Sequence, residues 1–168
     1  LMQWTLYNMG AVQHDLEPCT VYPLLDETLS FLHEVCELKH QTVINRLPES
    51  LKVKGDPALV KILFRNLITN AIKFSPVGGS IFVESNTPLP DAKMVEISVT
   101  NEGDRFSPEV IHRLFDVPAE SHQGSLGEEG YGLGLNLCRE FTELQGGTIF
   151  VDESYTCGAR VVFRLHLA

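Results

Sequence analysis

Two periods of apolar residues divide this chain, and they predict helices and strands in turn. Between Pro23 and Lys39, Leu25, Leu29, Leu32 and Cys36 recur at helical spacing, with Asp26, Glu27, Glu34 and Glu37 elsewhere on the helix. Asp56-Pro57 opens a second helix. Aspartate is a good N-cap, and proline costs nothing in a first turn, where its missing N–H would have no partner anyway. Val60, Leu63, Leu67, Ala71 and Phe74 are its expected buried stripe, and Pro76 with Gly78-Gly79 ends it. Pro108–Phe115 reads as a short helix, and Tyr131–Gln145 as a longer one ended by Gly146-Gly147. Residues 1–14, LMQWTLYNMGAVQH, also read as helical and apolar.

Period-two alternation marks the strands. Val95, Ile97 and Val99 alternate with Glu96, Ser98 and Thr100 within Met94–Thr100. Val161, Phe163, Leu165 and Leu167 are expected to face inward from Ala159–Leu167, with Val162, Arg164 and His166 outward. Ser80–Ser85 and Thr148–Asp152 complete the clear strands, and a turn with Pro88 and Pro90 links Ser80–Ser85 to Met94–Thr100. Shorter strands are expected near Cys19–Tyr22, at Thr42–Leu47 and at Leu51–Lys54, the last two joined by Pro48-Glu49-Ser50. Asp116–Gly130 has no period, carries Gly124, Gly127 and Gly130, and predicts a mobile loop. The sum is an α+β two-layer sandwich, with helices on one face of a mainly antiparallel mixed sheet.

Composition narrows the classes. The chain of 168 residues is long enough for one domain with a real core. Its formal net charge of −9 argues against nucleic acid or an anionic membrane surface as the main partner, because both call for a basic face. No apolar run reaches the ~18 residues of a membrane span, so no direct membrane contact is expected. Cys19, Cys36, Cys138 and Cys157 lie far apart with no C-x-x-C pair, and free thiols in a reducing cytoplasm are expected. The chain begins at Leu1 with no visible signal peptide and reads as a fragment of something longer.

The candidate chemistry sits on the second helix. Asn66, Asn70 and Lys73 are spaced i, i+4, i+7, about 100° round from the buried stripe. Asparagine is a poor helix former, so two of them in a strong helix ask for a reason. Mg²⁺ takes oxygen ligands and keeps several waters; the Asn70 carboxamide oxygen would supply one ligand, Asn66 would hold a water or a second face of the ion, and Lys73 would meet a phosphate as a point charge. A solvated polar face is the plain alternative. The second candidate is Gly130, Gly132 and Gly134, a glycine-rich turn opening a helix, where backbone N–H groups and the positive helix end favour phosphate. No Gly-Lys dipeptide is present, which excludes a Walker P-loop. The turn does not follow a strand in a βαβ unit, so a dinucleotide fold is not expected.

In this order, NLITNAIKFSP, a strand ending VTNEG, a loop, and GYGLGLNLCREF with LQGGTI resemble the catalytic and ATP-binding domain of two-component sensor histidine kinases. That domain belongs to the ATPase superfamily that also holds DNA gyrase, mismatch-repair ATPases and a heat-shock chaperone family. The resemblance spans roughly residues 22–167 and implies a Bergerat-type fold. It implies ATP as the nucleotide and Mg²⁺ at Asn70, assisted by Asn66. Asn66 stands where hydrolysing relatives carry a glutamate base, which implies transfer of the γ-phosphoryl group rather than hydrolysis, with Asn66 and Lys73 as the catalytic pair. Nucleotide contacts are implied at Asn66, Asn70, Lys73, Asn101, Gly103, Arg105, Gly130, Gly132, Leu133 and Gly134. Residues 1–17 resemble the end of a preceding dimerisation helix with its linker, and 18–168 the ATP-binding domain. The implied partners are the dimerisation and phosphoacceptor domain of the parent protein and, downstream, a response-regulator receiver domain. The fragment itself is expected to be monomeric and cytoplasmic, and an inner-membrane anchor on the parent protein is compatible with this.

The chain departs from the family pattern at the first glycine box, expected as Asp-x-Gly-x-Gly. The aligned residues are Asn101, Glu102, Gly103, Asp104 and Arg105. The family's aspartate accepts a hydrogen bond from the adenine amino group; Asn101 still accepts, but as a neutral group. Arg105 replaces a glycine, and its side chain is expected either to fill the adenine pocket or to swing out toward a phosphate. From Leu114 to Cys138 there is no lysine or arginine, while Asp116, Glu120, Glu128 and Glu129 are present. None of the six histidines lies in a phosphoacceptor context, so the chain alone is not expected to phosphorylate itself. These departures support an alternative, a regulatory or docking domain with weak or no nucleotide binding.

Overall fold

The computed structural model describes residues 16–86, 91–109, 111 and 133–168. Among the described residues the elements run in the order β1 (Glu17–Thr20), α1 (Val21–Leu38), β2 (Thr42–Asn45), β3 (Lys52–Gly55), α2 (Pro57–Phe74), β4 (Ser80–Ser85), β5 (Met94–Asn101), α3 (Leu133–Leu144), β6 (Thr148–Val151) and β7 (Ala159–His166). The expected helix over 1–14, the Pro88/Pro90 turn, the end of the short helix at Phe115 and the loop Asp116–Gly130 lie outside the described residues. Pro108 and Glu109 begin that short helix, and the Ile111 N–H donates to the Ser107 carbonyl at 2.9 Å.

The main sheet has the order β2-β4-β5-β7-β6. β2 and β4 are parallel, and the other three pairs are antiparallel, so the sheet is mixed as the sequence implied. The strands on either side of Pro48-Glu49-Ser50 go to different sheets: β2 joins the main sheet, and β3 pairs with β1 in a separate two-stranded ribbon. Period two says which face a strand buries but not which strand lies beside it. Buried Leu47 and Leu51 carry the chain across the gap, and the Val21 N–H ties the start of α1 to the Leu51 carbonyl at 3.1 Å.

The helices cover one face. α1 starts at Val21, two residues earlier than expected, because Pro23 is tolerated in a first turn. It buries Val21, Leu25, Thr28, Leu32 and Cys36. α2 starts as expected: the Asp56 carboxylate accepts from the Ala58 N–H at 2.8 Å, and Pro57 takes the first position. Its buried face is wider than the expected stripe, adding Leu59, Phe64, Ile68 and Ile72, while Phe74 is only half-buried. α3 packs Leu135, Cys138 and Phe141 into the same core. Phe64 from α2 meets Phe163 from β7 edge to face, ring centres 5.8 Å apart, and both rings are fully buried.

The other face of the sheet has no helix among the described residues, and it is covered by charged side chains laid over rings. Arg46 lies over Phe82 and pairs with Glu84, and Arg164 lies over Phe150 and pairs with Glu96. Arg160 lies over Tyr155, faces Asp152 at 3.6 Å and donates through Nε to the Thr100 hydroxyl at 3.1 Å. Long basic side chains cover apolar surface with their stems while the heads stay wet. Thr100 and Val162 were expected on an exposed face and are buried, 3% and 5% accessible, and the Arg160 hydrogen bond accounts for Thr100.

Two outcomes are expected. Truncating Phe163→Ala removes an aromatic side chain from the middle of the core and should cost about 3–5 kcal/mol, read from urea unfolding midpoints. All four cysteines are free, with Cys157 exposed and Cys19, Cys36 and Cys138 buried. A disulfide reagent at pH 8 should therefore titrate one thiol quickly and the other three only on unfolding. Burial pushes the Cys138 thiol from its ordinary 9.0 up to about 12. The unfolded chain then loses its proton first, so this group's contribution is intact below pH 9 and is lost as pH climbs toward 12.

Candidate functional site

Three segments far apart in sequence meet along the second half of α2. Asn66 and Asn70 project from its half-buried side. The first turn of α3 faces them: a side-chain carbon added at Gly134 would sit 3.7 Å from Asn70 Nδ2 and 3.8 Å from Asn66 Oδ1. The start of α3 therefore lies beside both carboxamides. Lys73, one turn further along α2, is exposed, and its Nζ lies 5.6 Å from the centre of the Phe74 ring.

The third segment is the end of β5. Asn101 closes the strand with its side chain only 5% exposed, and its Nδ2 has no hydrogen-bond partner among the described residues. It lines a narrow slot together with Leu67, Asn70, Ala71, Phe74, Val99, Phe106, Leu135 and Val161. Gly103 follows directly. A side chain there would fall on the Phe74 carbonyl and approach Asn101 Nδ2 to 3.0 Å, so the glycine lets the strand end press against the end of the helix.

The Arg105 side chain does not line the slot. Its Nη2 donates to the Glu153 carbonyl at 3.0 Å, which turns the side chain toward the β6–β7 connection. There it lines a cavity of about 350 Å³ with Phe106, Tyr155, Asp152 and Arg160. Phe106 is a wall of both the cavity and the slot. The Ser154 hydroxyl holds the Asp152 carboxyl below its ordinary range against the opposing effect of partial burial, helped by the Ser154 N–H and Arg160. Asp152 therefore stays ionised and offsets Arg160, so the cavity is not strongly cationic. Gly130 and Gly132 lie outside the described residues, and of Leu133 only the helical backbone is described.

The sequence reading missed what anchors this end of α2. Gln41 is 6% exposed, and its Nε2 lies 3.0–3.1 Å from the carbonyls of Ile72, Ser75 and Pro76. Lys39 Nζ donates to the Ile72 carbonyl at 2.6 Å and to that of Lys73 at 3.3 Å. These carbonyls have no partner within the helix, and two side chains from the α1–β2 connection supply donors. A glutamine after a helix carries no periodic signal, so only the fold shows its use.

Residues 55–168 match the family model of histidine kinase-, DNA gyrase B- and HSP90-like ATPases. The chain belongs to that family. Among curated relatives, the adaptive-response sensory kinase SasA of Rippkaea orientalis is 32% identical over 150 residues, covering 86% of this chain and 36% of that protein. Histidine protein kinase DivJ of Caulobacter vibrioides is 34% identical over 118 residues, 70% of this chain and 19% of its own. The chain thus spans about a third or less of the length of these relatives. Among solved structures, the catalytic domain of histidine kinase ThkA superposes with a TM-score of 0.75 at 24% identity, covering 92% of this chain and 96% of that one. Full-length ShkA in complex with AMPPNP superposes at 0.76 and 20% identity, over 97% of this chain and 34% of that one. At these identities the structures establish the fold: the mixed sheet with helices on one face is that of the histidine kinase catalytic domains.

Replacing Gln41 by Met keeps its bulk and removes the donor. Leaving the carbonyls at the end of α2 without it should cost about 1–3 kcal/mol in denaturant unfolding, with little change in the slope against denaturant.

Proposed function

We propose that this chain is the ATP-binding catalytic module of a sensor histidine kinase. Its role is to pass the γ-phosphoryl group to a histidine on a preceding helical domain of the parent protein. The observation that carries the reading is the meeting of Asn66, Asn70 and the first turn of α3, with a slot leading from them to the buried amide of Asn101. A triphosphate needs donors and cations at one end of its site and an apolar cleft with one or two polar groups at the other.

The side chains fit Mg²⁺ in kind, since carboxamide oxygens are hard ligands and two of them leave room for water and phosphate oxygens. Asn70 would hold the ion, with Asn66 beside it, and the ion when bound would neutralise charge on the phosphates. Lys73 and the start of α3 at Leu133 and Gly134 hold the phosphate chain, with Gly130 and Gly132 as the further glycines of the motif. Gly103 lets the strand end close on the base, and Asn101 reads its edge. In the transfer, a ring nitrogen of the acceptor histidine forms the new P–N bond as the bond to the bridging oxygen breaks and ADP departs. Asn66 is neutral and takes no proton from water, so hydrolysis stays slow beside transfer. Arg105, held at Glu153, belongs to the cavity wall rather than to the phosphate site.

Residues 1–17 are the end of the dimerisation helix and its linker in this reading, and 18–168 the ATP-binding domain. The partners are the dimerisation and phosphoacceptor domain and a response-regulator receiver domain. The module works in the cytoplasm, and no helix of the described residues is long and apolar enough to cross a membrane.

Calorimetric titration with a non-hydrolysable ATP analogue, with and without Mg²⁺, tests this. Binding should depend on Mg²⁺ and be weaker than about 100 µM, or about −5.5 kcal/mol. Asn70→Ala should remove the Mg²⁺ dependence without lowering the melting temperature by more than a few degrees. No heat and no thermal shift at millimolar nucleotide overturns the reading.

A further inference from the structure

We propose that Asn101 makes this site accept 6-oxopurine nucleotides alongside adenine nucleotides. The inference rests on the reading of the slot as a nucleotide site. Seven of the nine residues lining the slot are apolar, and the two polar ones are Asn70 and Asn101. Asn70 lies at the α3 turn, on the phosphate side. The polar edge of a base in the slot therefore meets Asn101.

Asn101 is 95% buried, and its amide nitrogen has no hydrogen-bond partner among the described residues. A buried N–H group without a partner is costly, and a ligand acceptor placed against it removes that cost. The same nitrogen is left free by Gly103, whose missing side chain would crowd it. With its nitrogen unheld, the amide loses no hydrogen bond there on turning over about its last torsion.

This freedom decides what the site can read. The edge of adenine presents an amino donor at position 6 beside a ring-nitrogen acceptor. The edge of a 6-oxopurine presents the reverse, a carbonyl acceptor beside a ring N–H donor. A carboxylate only accepts, so opposite position 6 it takes the amino group and repels the carbonyl. A carboxamide carries one donor and one acceptor side by side. In one orientation it matches adenine, and turned over it matches hypoxanthine or guanine. Entry needs the slot to widen, and Phe106, the wall shared with the 350 Å³ cavity, is the side chain whose displacement opens it.

The test compares ADP with inosine diphosphate, each with Mg²⁺, by titration calorimetry on the whole chain. The expected dissociation constants lie within tenfold of each other. Asn101→Asp should weaken inosine diphosphate at least tenfold relative to ADP. Side-chain amide NMR supplies a readout that needs no variant: the Asn101 NH₂ resonances should shift on saturation with either nucleotide. ADP binding with inosine diphosphate more than tenfold weaker overturns the proposal and leaves the nucleotide-site reading standing. An unchanged ratio in a folded Asn101→Asp protein, or an Asn101 amide unmoved by both nucleotides, overturns it in the same way. Binding of neither nucleotide overturns the nucleotide-site reading itself, and this inference with it.

Discussion

The last turn of α2 lies against the end of β5 with no room for a side chain between them, and the rest of the site depends on that contact. The Phe74 carbonyl occupies the place a side chain of Gly103 would need. A helix end and a strand end both carry unpaired backbone groups, and bringing them together is affordable only if those groups find partners elsewhere. Gln41 and Lys39 provide them for the helix carbonyls. For the strand side, Glu102 reaches back: its backbone N–H donates to the Ser80 carbonyl, and its carboxylate accepts from the Ser80 N–H at 3.0 Å.

From that contact the geometry of the site follows. Asn66 and Asn70 are fixed in direction because the opposite face of α2 buries Leu63, Phe64, Leu67, Ile68 and Ala71 in a close-packed core. α3 is fixed from both ends of its buried face. Leu135 and Cys138 pack near its start, and at its end Gln145, 1% exposed, accepts from the Asp56 N–H and donates to the Phe141 carbonyl. The beginning of α2 and the end of α3 are thus tied to each other, which holds the start of α3 opposite the middle of α2. The stiff part of the site is the helix pair, and the polar groups at its surface are placed by apolar packing behind them.

The departure at Arg105 shows how a local irregularity is absorbed. An arginine where a close backbone approach is expected would disturb the slot if its side chain pointed inward. It turns instead to the Glu153 carbonyl, beside the stack of Arg160 on Tyr155. The charge is satisfied on the rim, and the slot keeps its apolar lining. Asn101 is the more consequential change, because it stays buried and its amide nitrogen has no hydrogen-bond partner among the described residues.

The pattern of residues alone determined the elements, the faces they bury and the helix that carries the paired asparagines, since period, capping and breakers act within a few residues of one another. Asp56-Pro57 marks the start of α2, and Val95, Ile97 and Val99 mark the buried face of β5 without any knowledge of neighbours. Short motifs also singled out Asn101 and Gly103, through their resemblance to a known glycine box. Tertiary structure decided what local pattern cannot reach. It assigned β3 to a ribbon with β1, turned Arg105 outward, put Gln41 under the end of α2, buried Thr100 under Arg160, and left the Asn101 nitrogen with no partner among the described residues. Each of these depends on which distant segment lies alongside, and that is settled by the packing of the whole core.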